Sequence, residues 1–284
     1  MKPLFMKAYA KVNLCLDVCG KREDGYHELR SVMQQISLAD DLWAQKDECI
    51  RISCNLKFIP TDERNIIYKV ASAFFAYTGI SGGVHFNLHK RIPSGAGLGG
   101  GSGDGAAAVI LLDKLYGTGL TRQQMIDIVT PVGADIPFCV CGGTALAEGI
   151  GERLTPLVPL DQGAFLLVKP DFSLSTPKIF GVLDEMENYP HPDCEAMMRA
   201  IERQSLPDVA AAMSNSMQCA VSRNYPLVDT LCDQLLKAGA LGAVMSGSGS
   251  TVYGLFENVA QAKRAALRMI GPGRSVYVAL PISE

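Results

Sequence analysis

Pro93-Ser-Gly-Ala-Gly-Leu-Gly-Gly-Gly-Ser-Gly-Asp-Gly105 puts seven glycines into thirteen residues and runs straight into the apolar stretch Ala106-Ala-Ala-Val-Ile-Leu-Leu112. Glycines let a backbone turn through positive φ and approach a ligand closely. A helix starting at about Ser102 aims its free N–H groups and positive dipole end into that loop. The expected guest is a phosphate chain. Two common nucleotide loops do not fit. A dinucleotide-binding loop follows its strand directly and has an acid about 20 residues on, whereas Lys90-Arg-Ile-Pro93 separates strand Val84–His89 from the glycines and Asp113 comes too early. A Walker loop needs Gly-Lys-Ser/Thr, and Gly20-Lys21 is followed by Arg22.

Outward from the loop, the chain alternates strands and helices. From Ala8 to Val18 the even positions are apolar, and the odd ones are Lys7, Tyr9, Lys11, Asn13, Cys15 and Asp17. This period of two predicts a strand with Lys11 and Asn13 side by side on its polar face, read from pattern alone as solvated. The turn Cys19–Gly25 leads through Tyr26-His27 to a second strand, Leu29–Leu38. A short strand at Ile50–Cys54 follows, then a helix over Asn65–Tyr77 capped by Thr61 or Asp62. The glycine-loop helix stops near Gly117 or Gly119, and Thr121–Val129 is another helix. In Gly133-Ala-Asp135-Ile-Pro137 a single carboxylate stands between glycine and apolar residues, as a helix cap or as a group needing a partner. Gly142–Glu148 is a strand. Beyond Leu154–Gly163, the candidate boundary, come a strand at Phe165–Lys169, helices at Thr176, Cys194–Arg203, Asp208–Cys219 and Leu227–Ala238, strands at Ala243–Met245 and Val252–Phe256, helix Val259–Ile270 and strand Val276–Leu280. That is the order of a split βαβ, ferredoxin-like unit with extra helices.

The 284 residues are 48% hydrophobic and 19% charged, with a net charge of −3. This allows two domains with real cores and excludes the basic excess of a general nucleic-acid or membrane-surface binder. No apolar run reaches the roughly 18 residues needed to span a bilayer, and the opening residues lack the apolar core of a signal peptide. A cytoplasmic protein with a small-molecule partner is expected. The nine cysteines, odd in number and mostly within apolar patterns, read as reduced core residues.

Lys11-x-Asn13, Pro93–Gly103, Gly133-x-Asp135-x-Pro137 and Ser246-Gly-Ser-Gly249 together, in this order and over nearly the whole chain, resemble the motifs of the GHMP kinases. Ala10-Lys-Val-Asn-Leu14, Asp24-Gly-Tyr-His27, Leu38-Ala-Asp-Asp41 and Ala145–Glu152 are similar to the branch that phosphorylates the 2-hydroxyl of a cytidine diphosphate-linked methylerythritol in the non-mevalonate isoprenoid pathway. The resemblance implies an α+β, two-domain kinase. Residues 1–155 would form a domain like the second domain of ribosomal protein S5, residues 156–284 a ferredoxin-like domain, with the site between them and the protein a monomer or homodimer.

Carried over by position, Asp135 would be the general base and Lys11 would keep it ionised. ATP phosphates would lie in the backbone cradle of Pro93, Ser94, Gly95, Ala96, Gly97, Leu98, Gly99, Gly100, Gly101, Ser102 and Gly103. Ser102 would face Mg²⁺ or a phosphate, without a dedicated carboxylate cage, and Asp104 would cap the helix. Asn13 would hold the acceptor near its reacting hydroxyl. Tyr26 and His27 would bind the cytidine, Phe180 would stack on the base from the other side, and Thr176 and Pro177 would shape that wall. Ser246–Gly249 would brace the site. Where the family commonly has Ser-Asp-Ala-Ala, this chain has Gly103-Asp-Gly105-Ala, which implies a looser helix start. The alternatives are another GHMP small-molecule kinase or a non-catalytic nucleotide-binding regulator. A dinucleotide oxidoreductase fails on the loop's context.

Overall fold

The period-two stretch forms a strand longer than the alternation itself, β1 (Leu4–Lys21), which turns into β2 (His27–Asp47). The structure, a computed structural model, describes residues 2–283. The chain divides into two units: one holds the stretch to Ala10, Ala39–Ile92 and Gly99–Cys141, the other Lys11–Leu38, Pro93–Leu98 and everything from Gly142. Each of the two long strands contributes a segment to both units.

In the first unit β3 (Arg51–Cys54) is followed by helix α1 (Ile66–Thr78) and β4 (Gly83–His89). β3 lies parallel to β4, and Asp41–Asp47 of β2 runs antiparallel to β4 on its other side. Val84, Phe86 and Leu88 are buried, as their alternation requires. α1 is capped by Asn65, whose Oδ1 accepts from Ile67 N at 2.9 Å, and not by Thr61 or Asp62. Asn65 sits directly before the first helical residue, where a side-chain oxygen reaches the free N–H groups.

Next comes α2 (Gly100–Tyr116), followed by α3 (Arg122–Val129), with Thr121 and Gln124 in a reciprocal capping box, and α4 (Ile136–Cys141). α2 is buried nearly all round, so its glycines are packing residues. A Cβ at Gly103 would stand 2.5 Å from the carbonyl oxygen of Tyr9, and one at Gly105 2.9 Å from Ile66 Cγ2. The looser helix start expected here is therefore corrected: α2 is continuous from Gly100, and these two glycines let β1 and α1 come close to it.

In the second unit β5 (Thr144–Gly149) pairs antiparallel with Leu29–Gln34 of β2 and with β6 (Arg153–Pro156). Beyond them are β7 (Ala164–Pro170), α5 (Thr176–Asp184), α6 (Cys194–Glu202), α7 (Leu206–Ala212), β8 (Ser214–Asn215), α8 (Ser216–Ser222), α9 (Leu227–Lys237), β9 (Gly242–Met245), β10 (Val252–Phe256), α10 (Val259–Met269) and β11 (Arg274–Ala279). The sheet runs β11-β7-β10-β9 with all neighbours antiparallel, the ferredoxin-like order that the sequence predicts. Leu166, Val168, Val252 and Phe256 pack with Val228, Leu231, Leu235 and Ala262 in one core. The single helix expected over Asp208–Cys219 is two helices. Between them β8 pairs parallel with Cys15 and Leu16, and Asn215 caps α8 by accepting from Met217 N at 2.8 Å. Among the cysteines, Cys15, Cys139, Cys194 and Cys232 are buried, while Cys19 and Cys49 are exposed.

Candidate active site

At Lys11 and Asn13 the polar face of β1 is buried, contrary to the solvated face that its pattern predicts, whereas Lys7 on the same face is exposed. Lys11 is 4% and Asn13 2% exposed. Burial of such groups demands partners, and they are present. Lys11 Nζ donates to Asn13 Oδ1 at 2.7 Å, Asn13 Nδ2 donates to Ser31 Oγ at 2.8 Å, and Ser31 Oγ donates to the carbonyl of Cys15 at 2.7 Å. The fully buried Tyr253 donates its hydroxyl to the carbonyl of Asn13 at 2.7 Å. Ser31 and Tyr253 had no local sequence signal, because they act on residues 18 and 240 positions away.

The first half of the glycine loop is held in the same unit, by its carbonyls. Ser173 Oγ donates to Ser94 O at 3.3 Å, Thr251 N to Ala96 O at 3.2 Å, Ser246 Oγ to Gly97 O at 2.8 Å and Lys11 N to Leu98 O at 2.9 Å. Ala96 and Leu98 bury their side chains, and Ser94 and Gly95 are exposed. Ser94 and Gly95 lie in a hydrogen-bonded turn, and among the described residues no side chain or distant backbone carbonyl accepts from the N–H groups of Ser94–Gly99. A loop with its carbonyls tied back and its N–H groups unspent can take an anion. Gly97 has φ +72°, and a Cβ there would stand 2.0 Å from Ser246 O, so the Ser246–Gly249 segment admits only glycine at this point. The second half of the loop belongs to the first unit, where Gly100, Gly101, half-buried Ser102 and Gly103 form the first turn of α2.

Asp104 is not a cap, because the N-cap of α2 is Gly99, which makes no side-chain bond. Its carboxylate instead meets Lys90 Nζ at 2.7 Å, and the same ammonium pairs with Asp40. Asp135, half-buried in the first unit, precedes α4, and its carbonyl accepts from Cys139 N.

Tyr26 and His27 end the turn before β2. Tyr26 is 60% exposed, and His27 is buried. His27 Nε2 lies 2.6 Å from Asp184 Oδ1, and Lys21 Nζ donates to Asp184 Oδ2 at 2.7 Å. Hydrogen bonds from Lys21 and His27 hold the Asp184 carboxyl below the usual range. An ionised carboxylate only accepts, so Nε2 carries the proton and Nδ1 is the accepting nitrogen whenever the ring is neutral. Phe180 stacks on the His27 ring, with centroids 4.3 Å apart and planes 11° from parallel. Thr176 Oγ1 lies 2.7 Å from Ser248 Oγ, and Pro177 occupies the exposed first turn of α5. Asp184 and Lys21 escaped the sequence reading because α5 and the β1 turn are more than 150 residues apart. Among the described residues no group of three or more His, Cys, Asp or Glu side chains is placed to hold a metal ion. No helix among them is long and apolar enough to cross a membrane.

The model of the GHMP kinases N-terminal domain matches residues 65–143, and that of the GHMP kinases C-terminal domain matches residues 197–273. The chain is a GHMP kinase, an enzyme that takes phosphate from ATP. Within that superfamily it belongs to the 4-diphosphocytidyl-2-C-methyl-D-erythritol kinase family. It is 43% identical to the protein of that name from Lachnoclostridium phytofermentans, covering 98% of this chain and 97% of that one. Its identity to the Clostridium novyi protein is 39%, over 97% and 99%. A crystal structure of 4-(cytidine 5'-diphospho)-2C-methyl-D-erythritol kinase superposes with a TM-score of 0.83 at 33% identity, covering 98% and 99%. The Methanococcus jannaschii mevalonate kinase, with a TM-score of 0.76 over 99% of both chains but 15% identity, shares the fold.

Proposed function

We propose that this enzyme transfers the γ-phosphate of ATP to the 2-hydroxyl of 4-diphosphocytidyl-2-C-methyl-D-erythritol, giving the 2-phosphate and ADP in isoprenoid precursor synthesis in the cytoplasm. The observation that carries the choice of acceptor is His27, fixed by Asp184 with its accepting nitrogen opposite the bound one, stacked on Phe180 and preceded in the chain by the exposed Tyr26. A pyrimidine with an exocyclic amine fits such a place through a hydrogen bond and stacking. As the rings stand, Phe180 covers His27, so a base reaches between them after they part by one ring thickness, ~3.5 Å. Mevalonate or homoserine offers nothing for these groups to hold.

In this reading residues 1–155 and 156–284 are the two functional domains, and Pro93–Gly103 receives the ATP phosphates on its unspent N–H groups. Asp135 accepts the proton of the attacking hydroxyl, and Lys11 balances charge developing on the phosphate. Asn13, anchored by Ser31, orients the acceptor, and Thr176 and Pro177 wall the base site. Phosphoryl transfer needs mainly positioning and charge neutralisation, which these groups supply. Mg²⁺ suits an oxygen donor set, and Ser102 would be its protein contact, with the ion neutralising phosphate charge. The test is competition. CDP should inhibit competitively against the acceptor and leave the KM for ATP unchanged, and inhibition competitive with ATP alone would remove the cytidine assignment.

A further inference from the structure

The proposed mechanism leaves one group of buried ionisable side chains unused. Lys90, Asp40 and Asp104 are all at least nine-tenths buried. Lys90 immediately precedes the glycine loop, and Asp104 immediately follows it, 14 residues on. Asp40 Oδ1 accepts the N–H groups of Arg91 and of Ile92, the latter at 2.8 Å, and its Oδ2 pairs with Lys90 Nζ. Asn55 grips the backbone of Lys90 from both sides, donating to its carbonyl at 3.2 Å and accepting from its N–H at 2.8 Å. The entry to the loop is thus fixed to β2 and to the residue after β3. The Lys90 ammonium then crosses the neck of the loop to Asp104 at 2.7 Å, so close to the first turn of α2 that a Cβ on Gly100 would lie 3.4 Å from it.

The Lys90–Asp40 pair is complete without Asp104. A second carboxylate, if ionised, would leave an uncompensated negative charge in the interior, and Asp104 Oδ1 is buried with no hydrogen-bond partner among the described residues. Both features cost stability, so packing does not account for Asp104.

We propose that Asp104 is a positioning residue for the phosphate loop, closing its neck through Lys90 so that the first turn of α2 and the segment entering the loop are held in one geometry. Burial pushes the Asp104 carboxyl up to about 8, with Lys90 opposing and Asp40 reinforcing the rise. Burial thus biases the Asp104 carboxyl toward its uncharged form. Burial works against the Lys90 ammonium, but Asp104 and Asp40 outweigh it and raise its pKa. The neighbouring Asp41 pairs with Arg91 through Oδ2, while Lys7 Nζ lies 3.6 Å from its Oδ1, which has no hydrogen-bond partner among the described residues. Ionised Asp104 would place a negative charge within two turns of the helix end that receives phosphate, opposing the dipole there.

This rests on the reading that Pro93–Gly103 holds ATP, so binding of ATP is measured directly by calorimetry for the wild-type protein and for Asp104→Ala, Asp104→Asn and Gly97→Ala. Asp104→Ala should weaken ATP binding at least about tenfold, equivalent to 1.4 kcal/mol, and raise the KM for ATP without a matching fall in kcat. In the wild type the Kd for ATP should climb above pH 8. In Asp104→Asn, which keeps the shape but cannot ionise, that climb should be absent. ATP binding in folded Asp104→Ala within twofold of wild type, while Gly97→Ala binds weakly, would overturn the proposal. So would a Kd that rises equally with pH in Asp104→Asn, a readout that stands even if Asp104→Ala does not fold. Unchanged binding in Gly97→Ala as well would refute the loop reading itself.

Discussion

Replacing Gly97 by alanine is the sharpest perturbation of the phosphate loop. The new Cβ would stand 2.0 Å from Ser246 O and 3.1 Å from Gly249 N, where carbon needs ~3.5 Å. The chain must move by more than an ångström against backbone, which has no rotamer to change. The φ of +72° adds ~1–2 kcal/mol for a residue with a Cβ. The displacement also breaks the Ser246 Oγ to Gly97 O bond, worth ~0.5–1.5 kcal/mol. The sum is ~1.5–3.5 kcal/mol against the ordered loop. If ATP needs that loop in place, its Kd rises by about 10- to 350-fold. Isothermal titration with ATP, with thermal unfolding run alongside, reads both consequences. A folded Gly97→Ala protein whose ATP affinity stays within twofold of wild type would refute the argument that this close approach sets the cradle.

Other substitutions separate the remaining roles. Asp135→Asn should lower kcat by ~10²–10⁴ while ATP still binds, and unchanged turnover in a steady-state assay would exclude Asp135 as the base. Phe180→Ala should raise the KM for the cytidine acceptor at least about fivefold, the lower end of base stacking, and an effect confined to the KM for ATP would put Phe180 in the wrong pocket. Asp184 has its carboxyl pKa lowered by Lys21 and His27, so it contributes stability that is present above the ordinary aspartate value and lost as pH falls through the lowered one. Asp184→Asn should flatten the acid limb of thermal stability and raise the acceptor KM, and an unchanged limb would show that the pair contributes nothing to folding.

Periodicity was enough for the strands and most helices, because a buried face leaves its spacing in the chain. The ferredoxin-like order of the second unit followed from that spacing. The loop's carbonyl anchors did not, since Ser246 and Thr251 lie some 150 residues from the loop they hold. A strand face also carries no mark of what covers it, so the pattern alone puts Lys11 and Asn13 in solvent, whereas Asn13 is buried with its side chain bonded to Ser31 and its carbonyl to Tyr253. Gly103 and Gly105 were misread for a similar reason. A helix-propensity argument sees the missing side chain but not the Tyr9 carbonyl and Ile66 side chain that forbid one. Lys90 looked like a mere interruption between strand and loop, yet it is the residue that joins the loop's two ends.

The most direct measurement of the central claim is ADP release from MgATP with 4-diphosphocytidyl-2-C-methyl-D-erythritol, mevalonate, homoserine and galactose in parallel. Turnover with the cytidine-linked acceptor alone is the predicted result. Turnover with one of the other three and not with it, from protein that binds ATP, would contradict the account.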